Sequence, residues 1–299
     1  MKKQKQKESK VNSALFLASL LIFAAGVGIF VYPAVSNWMA ERRQAEAIER
    51  YEEDVSVLEP EEIQDQIARA QEYNQNLAED ELHDPFLQGE QYVISSGYND
   101  VLNYNEDGIM AYVEIPCIDV SLPVYHGTSE EVLQKGAGHL AASSLPVGGE
   151  GTHSVISAHR GLPSARLFTD LDEVETGDVF YIHVLDETLA YQVDQIETVK
   201  PDELSSLRVV KGRDLVTLLT CTPYAVNTHR LLVRGTRIPY EEAREIEQER
   251  EDQNILPHWM KEYFVSIAAG IVLLVLAVTA AVFWKKRKRK AGGKSRRQK

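Results

Sequence analysis

Hydrophobic positions follow three different rhythms along this chain. Residues 11–40 contain no charged side chain, and residues 14–31 are almost wholly apolar; about 20 such residues suffice for a helix to cross a bilayer. A second run of this kind occupies residues 265–284. Residues 41–80 are instead charged, with a helical stripe of Ile63, Ile67, Ala70 and Leu77 and with Pro60, Glu61 and Glu62 suited to a helix start. From residue 110 the pattern shortens to β-rich runs at 111–115, 155–158, 179–185, 191–199, 215–220 and 231–233, separated by Pro and Gly turns. Residues 241–258 return to a charged, helix-like pattern.

These rhythms predict a mainly β fold: a closed or nearly closed barrel with inserted short helices, preceded by a helical region and flanked by two transmembrane helices. The expected organisation is a basic tail (1–10), a first span (11–35), a juxtamembrane helical region (36–80), a short segment at 81–90, the β domain (91–240), a charged linker (241–264), a second span (265–284) and a second basic tail (285–299).

Charge sets the orientation. The net charge is −13, yet the first ten residues carry +4 and residues 285–299 carry +10, which leaves −27 on the remainder. Basic flanks stay on the cytoplasmic side, so both termini are expected inside and the roughly 225 residues between the spans outside. Pro33-Ala-Val-Ser-Asn37 is a poor cleavage site, so the first span is expected to be retained rather than removed as a signal. The basic tails suit anionic lipid heads, and no nucleic-acid partner is expected of so acidic an outer domain.

Chemistry concentrates in Asp214-Leu-Val-Thr-Leu-Leu-Thr-Cys-Thr-Pro223, followed by His229-Arg-Leu-Leu-Val-Arg-Gly235. Both read as strands joined by residues 222–228, and in such an antiparallel pair Cys221 and Arg230 become neighbours. A thiol with an ordinary pKa of about 8.5 is expected to be lowered by the adjacent guanidinium. That guanidinium also offers a fork of donors for a developing oxyanion. Of the eight histidines, His159 is the best placed to move protons, at the end of a short apolar strand in Thr152-His-Ser-Val-Ile-Ser-Ala-His-Arg-Gly-Leu-Pro163. His183 falls in a strand interior, His229 points away from Arg230's face, and His126, His139 and His153 suit packing or supporting roles.

The second of the two cysteines, Cys117, reads as a small buried hydrophobe in or near a strand, which leaves Cys221 as a thiol rather than half of a disulfide. The acidic stretch 170–178 lacks the ligand spacing of an EF-hand loop, no Cys or His cluster has zinc spacing, and no phosphate loop is present. No metal and no cofactor are therefore expected.

The run Leu-Leu-Thr-Cys-Thr-Pro-Tyr-Ala-Val-Asn-Thr-His-Arg-Leu-Leu-Val-Arg-Gly, with Ser-Ala-His-Arg-Gly-Leu-Pro upstream, resembles the active site of sortases, the membrane-bound cysteine transpeptidases of Gram-positive bacteria. Gly136-Ala-Gly-His-Leu140 and Leu167-Phe-Thr-Asp-Leu171 extend the resemblance, which covers roughly residues 80–240. It implies that Cys221 is the nucleophile, His159 the general acid and base, and Arg230 the oxyanion and substrate-positioning group, with Thr220 and Thr222 as substrate contacts. His83-Asp-Pro-Phe86 looks like the lid of class C, pilin-polymerising sortases, and implies that Asp84, Pro85 and Phe86 fold over the cleft. The second anchor is a further class C trait. The resemblance thus implies cleavage of a Leu-Pro-x-Thr-Gly-like signal between Thr and Gly through a thioacyl intermediate, then transfer to a Lys amine of another pilin subunit. Three other readings stay open at this point: a housekeeping sortase acting on cell-wall peptide, a membrane-anchored cysteine protease, and an inactive adhesion or assembly module.

Overall fold

The computed structural model describes residues 2–77, 84–86, 97–104, 107–253, 268, 270, 272 and 279. The expected second span and second basic tail lie almost entirely outside the described residues, as do residues 81–83 and 87–90 of the expected lid segment. Among the described residues no helix is long and apolar enough to cross a membrane.

Eight strands close into a barrel: β1 (Ile109–Ile115), β2 (Val120–His126), β3 (Ala137–His139), β4 (Thr152–Ser157), β5 (Val179–Val184), β6 (Glu187–Val199), β7 (Asp214–Thr222) and β8 (His229–Ile238). Their order around the barrel is β1-β2-β3-β4-β7-β8-β6-β5. Six of the strands cover the runs read from the sequence. β2 and β3 were not among those runs, because β2 contains Pro123 and β3 is only three residues long around Gly138. A Cβ on Gly138 would lie 2.3 Å from the Gly127 carbonyl, so the strand can pass there only as glycine.

β4, β7 and the first half of β8 are buried on both faces, which explains the apolar cores 155–156, 215–219 and 231–233. Side chains alternate across a strand. One face presents Ile156, Val216, Leu218 and Val233 to the main core. The other presents Val155, Leu219 and Leu232 to a smaller cluster completed by Leu140, Leu204 and Leu207. That second face, packed beneath the segment between β6 and β7, leads along the strands to Cys221 and Arg230.

The expected first span and the start of the expected juxtamembrane helical region lie in one continuous helix, α1 (Lys2–Ser56), with Pro33 inside it. Its last turns lock onto the barrel through Tyr51, whose hydroxyl donates to the Met110 carbonyl at 3.1 Å and accepts from the Leu185 amide at 2.8 Å. Higher up, Gln44 Nε2 donates to the Lys135 carbonyl and Ser36 Oγ to the Pro163 carbonyl. The next helix, α2 (Pro60–Asn76), starts with the expected Pro and with a capping box between Glu59 and Glu62. It buries Ile63 and Ala70, and Asn74 exchanges two hydrogen bonds with the Leu145 backbone. A four-residue helix, α3 (Glu130–Leu133), is capped by Ser129, whose Oγ accepts from Val132 N. After the barrel, α4 (Tyr240–Gln253) takes the place read as a charged linker and packs Ala243 against Val179, Tyr181 and Ala190.

Candidate active site

In the β7–β8 ladder Cys221 pairs directly with Arg230, as the sequence pattern implies. One strand away, the Ala158 amide donates to the Leu219 carbonyl and Thr220 Oγ1 donates to the Ala158 carbonyl at 2.7 Å. β4 therefore delivers His159 at the level of the thiol. Thr220 is fully buried and ties β7 to β4, whereas Thr222 Oγ1 accepts from Arg160 Nη1 at 3.1 Å. Cys221 is 6 % exposed and is a thiol, not a disulfide half. Cys117 is exposed, in the 3₁₀ turn Pro116–Ile118 between β1 and β2, rather than buried in a strand. Pro116 ends the ladder one residue too early for it to be enclosed.

Asp84, Pro85 and Phe86 sit directly over this site. Asp84 grips Arg230 with both carboxylate oxygens: Nε donates to Oδ1 at 2.9 Å, and Nη2 lies 2.5 Å from Oδ2. Both side chains are almost completely buried. The remaining guanidinium nitrogen, Nη1, donates to the carbonyls of Asn227 and His229. Asp84 Oδ1 also accepts from the Phe86 amide at 3.0 Å, a local turn that aims the ring inward. Phe86 lies 5.4 Å from the His159 ring and 5.3 Å from the Arg230 guanidinium, and it packs on the aliphatic cluster of Leu219 and Leu232.

This plug overturns one expectation. The Cys221 thiol is pushed up to about 11, not lowered. Burial is the largest cause; Arg230 pulls the other way, and Asp84 adds a further upward push. The cation is present, but its partner carboxylate neutralises much of its field and burial under the plug disfavours the thiolate. His159 is held below its ordinary value by burial, opposed by the Glu130 carboxylate 3.6 Å from Nε2. With a neutral thiol, a lowered imidazole and a satisfied guanidinium, the closed site is chemically quiet.

Two contributors escaped the sequence reading. Glu130 comes from α3, some thirty residues before His159, and nothing in its spacing marks it. Arg160 follows His159 directly and could have been flagged by that adjacency alone. The acidic stretch 170–178 also acquires a plain role: Asp170 pairs with Arg166 and Asp172 with Arg160. Among the described residues no group of three or more His, Cys, Asp or Glu could hold a metal ion.

Comparison with known proteins bears on this geometry. The sortase-domain profile matches residues 113–238. Streptococcus pneumoniae sortase C, whose crystal structure was described in terms of catalysis and pilin substrate specificity, is 51 % identical, with a TM-score of 0.60, covering 65 % of this chain and 97 % of that one. A pilus-related sortase C of Group B Streptococcus is 47 % identical, with a TM-score of 0.60, covering 64 % of this chain and 96 % of that one. Among curated proteins, sortase A of Listeria monocytogenes is 27 % identical over 133 residues, 44 % of this chain and 58 % of that protein. The chain thus spans about three fifths of the length of the first curated relatives it matches.

Proposed function

The chain belongs to the sortase family, its structural neighbours are class C enzymes, and we propose that it polymerises pilin subunits by cysteine transpeptidation. The observation that carries this reading is the Asp84–Pro85–Phe86 plug, seated by a buried bidentate ion pair on Arg230 and by an aromatic ring against His159. A plug of this kind suits an enzyme that must stay silent until a specific protein substrate displaces it.

In the proposed reaction a pilin bearing a Leu-Pro-x-Thr-Gly-like signal enters the groove as the lid leaves. The aliphatic surface of Leu219, Leu232, Leu204 and Leu207, partly covered by Phe86, is a suitable seat for the signal's apolar residues. The Cys221 thiolate attacks the Thr carbonyl, Arg230 stabilises the oxyanion, and His159 donates a proton to the departing Gly amine. The thioester is then attacked by a Lys ε-amine of a second pilin, which loses its proton to His159. An isopeptide bond forms as the Cys221 sulfur leaves. Water must be kept from the thioester for aminolysis to win, which a narrow, largely apolar groove favours.

The two-span arrangement, with the catalytic domain outside the cell, is part of the proposal. Its support is the apolar character of residues 14–31 and 265–284 and the basic tails beside them.

The deciding experiment combines the full chain in detergent with one pilin carrying the sorting signal and another carrying the acceptor Lys. Mass spectrometry of the product should find a Thr–Lys isopeptide that is lost in Cys221→Ala. A product joined only to a peptidoglycan amine would instead identify a housekeeping enzyme, and free acid alone a protease.

A further inference from the structure

Directly after His159, Arg160 reaches away from the cleft and holds three segments together. Its Nε donates to the Thr169 carbonyl at 2.9 Å, Nη1 donates to Thr222 Oγ1 at 3.1 Å, and Nη2 pairs with Asp172. The Tyr224 ring covers the guanidinium at 5.9 Å. The side chain is only 7 % exposed. The planar fork is suited to hold several acceptors at once in a fixed geometry.

The contacts are not scattered. Thr169 and Asp172 belong to the segment that folds back on His159, whose own carbonyl accepts from the Phe168 amide at 3.1 Å. Thr169 Oγ1 also accepts from the Gly161 amide. Thr222 and Tyr224 belong to the end of β7 and to the loop that follows Cys221. Tyr224 also rests on Gly161, where φ is +81° and an added Cβ would meet the ring at 3.0 Å. The fork of Arg160 therefore joins the loop carrying the imidazole to the strand end carrying the thiol, from the side opposite the reacting atoms.

We propose that Arg160, acting through Thr222, is a positioning residue that fixes the His159 imidazole relative to the Cys221 sulfur. The inference rests on the reading of Cys221 and His159 as the reacting pair. The hydroxyl of Thr222, which the resemblance implies as a substrate contact, is the acceptor that closes this link. Positioning of this sort acts on the chemical step rather than on peptide affinity, since an error of about 1 Å between reacting groups can reduce the rate by about a hundredfold.

The test compares the full-length protein with Arg160→Lys, Thr222→Val and the double variant on a fluorogenic sorting peptide, alongside thermal unfolding. Lysine keeps the charge but cannot fork to three acceptors, and valine removes one hydroxyl at the edge of the barrel, so each variant probes the link with little threat to folding. The expected result is a kcat lowered about tenfold in each single variant with KM within about twofold, because only part of the alignment is lost. The double variant should lose no more than the worse single one, since both break the same link. In both, the acidic limb of the kcat profile should move to higher pH, as a loosened loop hydrates an imidazole now held low by burial. Raised KM with unchanged kcat, additive losses, or an unmoved acidic limb would each overturn the proposal. Failure of the underlying reading shows separately, as activity retained in Cys221→Ala or His159→Ala.

Discussion

Replacing Asp84 with alanine should convert the quiet thiol into a reactive one, and the size of the effect follows from the contacts. In the closed site Cys221 titrates at about 11, so at pH 7 about one molecule in ten thousand carries the thiolate. Asp84→Ala removes the carboxylate that pushes this value upward, releases the Arg230 fork, and frees Phe86 from the turn that aims it. All three changes favour the anion, two electrostatically and one by admitting water. If the thiol falls only to 9.0, still a little above its ordinary value of about 8.5, the thiolate fraction at pH 7 rises about a hundredfold. Alkylation by iodoacetamide, followed by mass spectrometry from pH 6 to pH 11, reads this directly as an apparent pKa and a rate. The expected profile moves downward by about two pH units, with turnover of a short sorting peptide rising in parallel. An alkylation midpoint still near 11 in the variant would refute the assignment of Asp84 and the lid as the cause.

Three further outcomes test the scaffold. His139 is completely buried, with Nδ1 on Tyr98 Oη and Nε2 on the Ser144 carbonyl, and burial lowers it from 6.5 to about 4. The unfolded chain binds that proton first, so this contribution is complete above pH 6.5 and is lost toward pH 4, by about 3 kcal/mol at 1.36 kcal/mol per unit. Urea unfolding of His139→Gln should vary less with pH across that window than the parent, and parallel curves would exclude the histidine as the cause. Tyr51→Phe leaves the Leu185 amide and the Met110 carbonyl without their shared hydroxyl and should destabilise by about 2 kcal/mol, read by urea unfolding; no change would mean that α1 docks by packing alone. Gly235→Ala would place a methyl 2.5 Å from Phe180 Cε1 and 2.9 Å from Tyr191 Cβ, so a loss of about 1–3 kcal/mol is expected, and an unshifted melting temperature would show that the stacked rings can part.

The sequence was most legible where one local rule was enough. β7 and the first half of β8 are buried on both faces, so their apolar runs stand out, and antiparallel register alone put Cys221 beside Arg230. β2 was hidden by Pro123, a residue that argues against a strand, although it pairs there with Tyr112 beside β1. The expected span and the helical region after it were divided near a change from apolar to charged composition, which the continuous backbone of α1 does not register. Arg160 and Glu130 were silent for a different reason. Their partners are set by how the segments at 129–133 and 166–172 fold back, and no periodicity records that.

The acidity of Cys221 was misread for the most instructive cause. Pairing the thiol with Arg230 gave the right neighbour and the wrong sign, because burial outweighs the cation and a carboxylate 146 residues before Arg230 occupies the same guanidinium. In the closed site Arg230 has no nitrogen to spare: Asp84 takes two, and the Asn227 and His229 carbonyls share the third. The group proposed to hold the oxyanion and the group that would acidify the thiol are one cation, so a single event must release both functions. Removing the carboxylate from a buried guanidinium without replacement costs about 3–5 kcal/mol, which keeps the lid seated in the absence of substrate. A peptide carbonyl and entering water must offset that penalty together. A ligand that fills the aliphatic groove but offers no carbonyl to Arg230 should therefore compete with Phe86 while leaving the thiol near 11, whereas one that engages Arg230 should lower it.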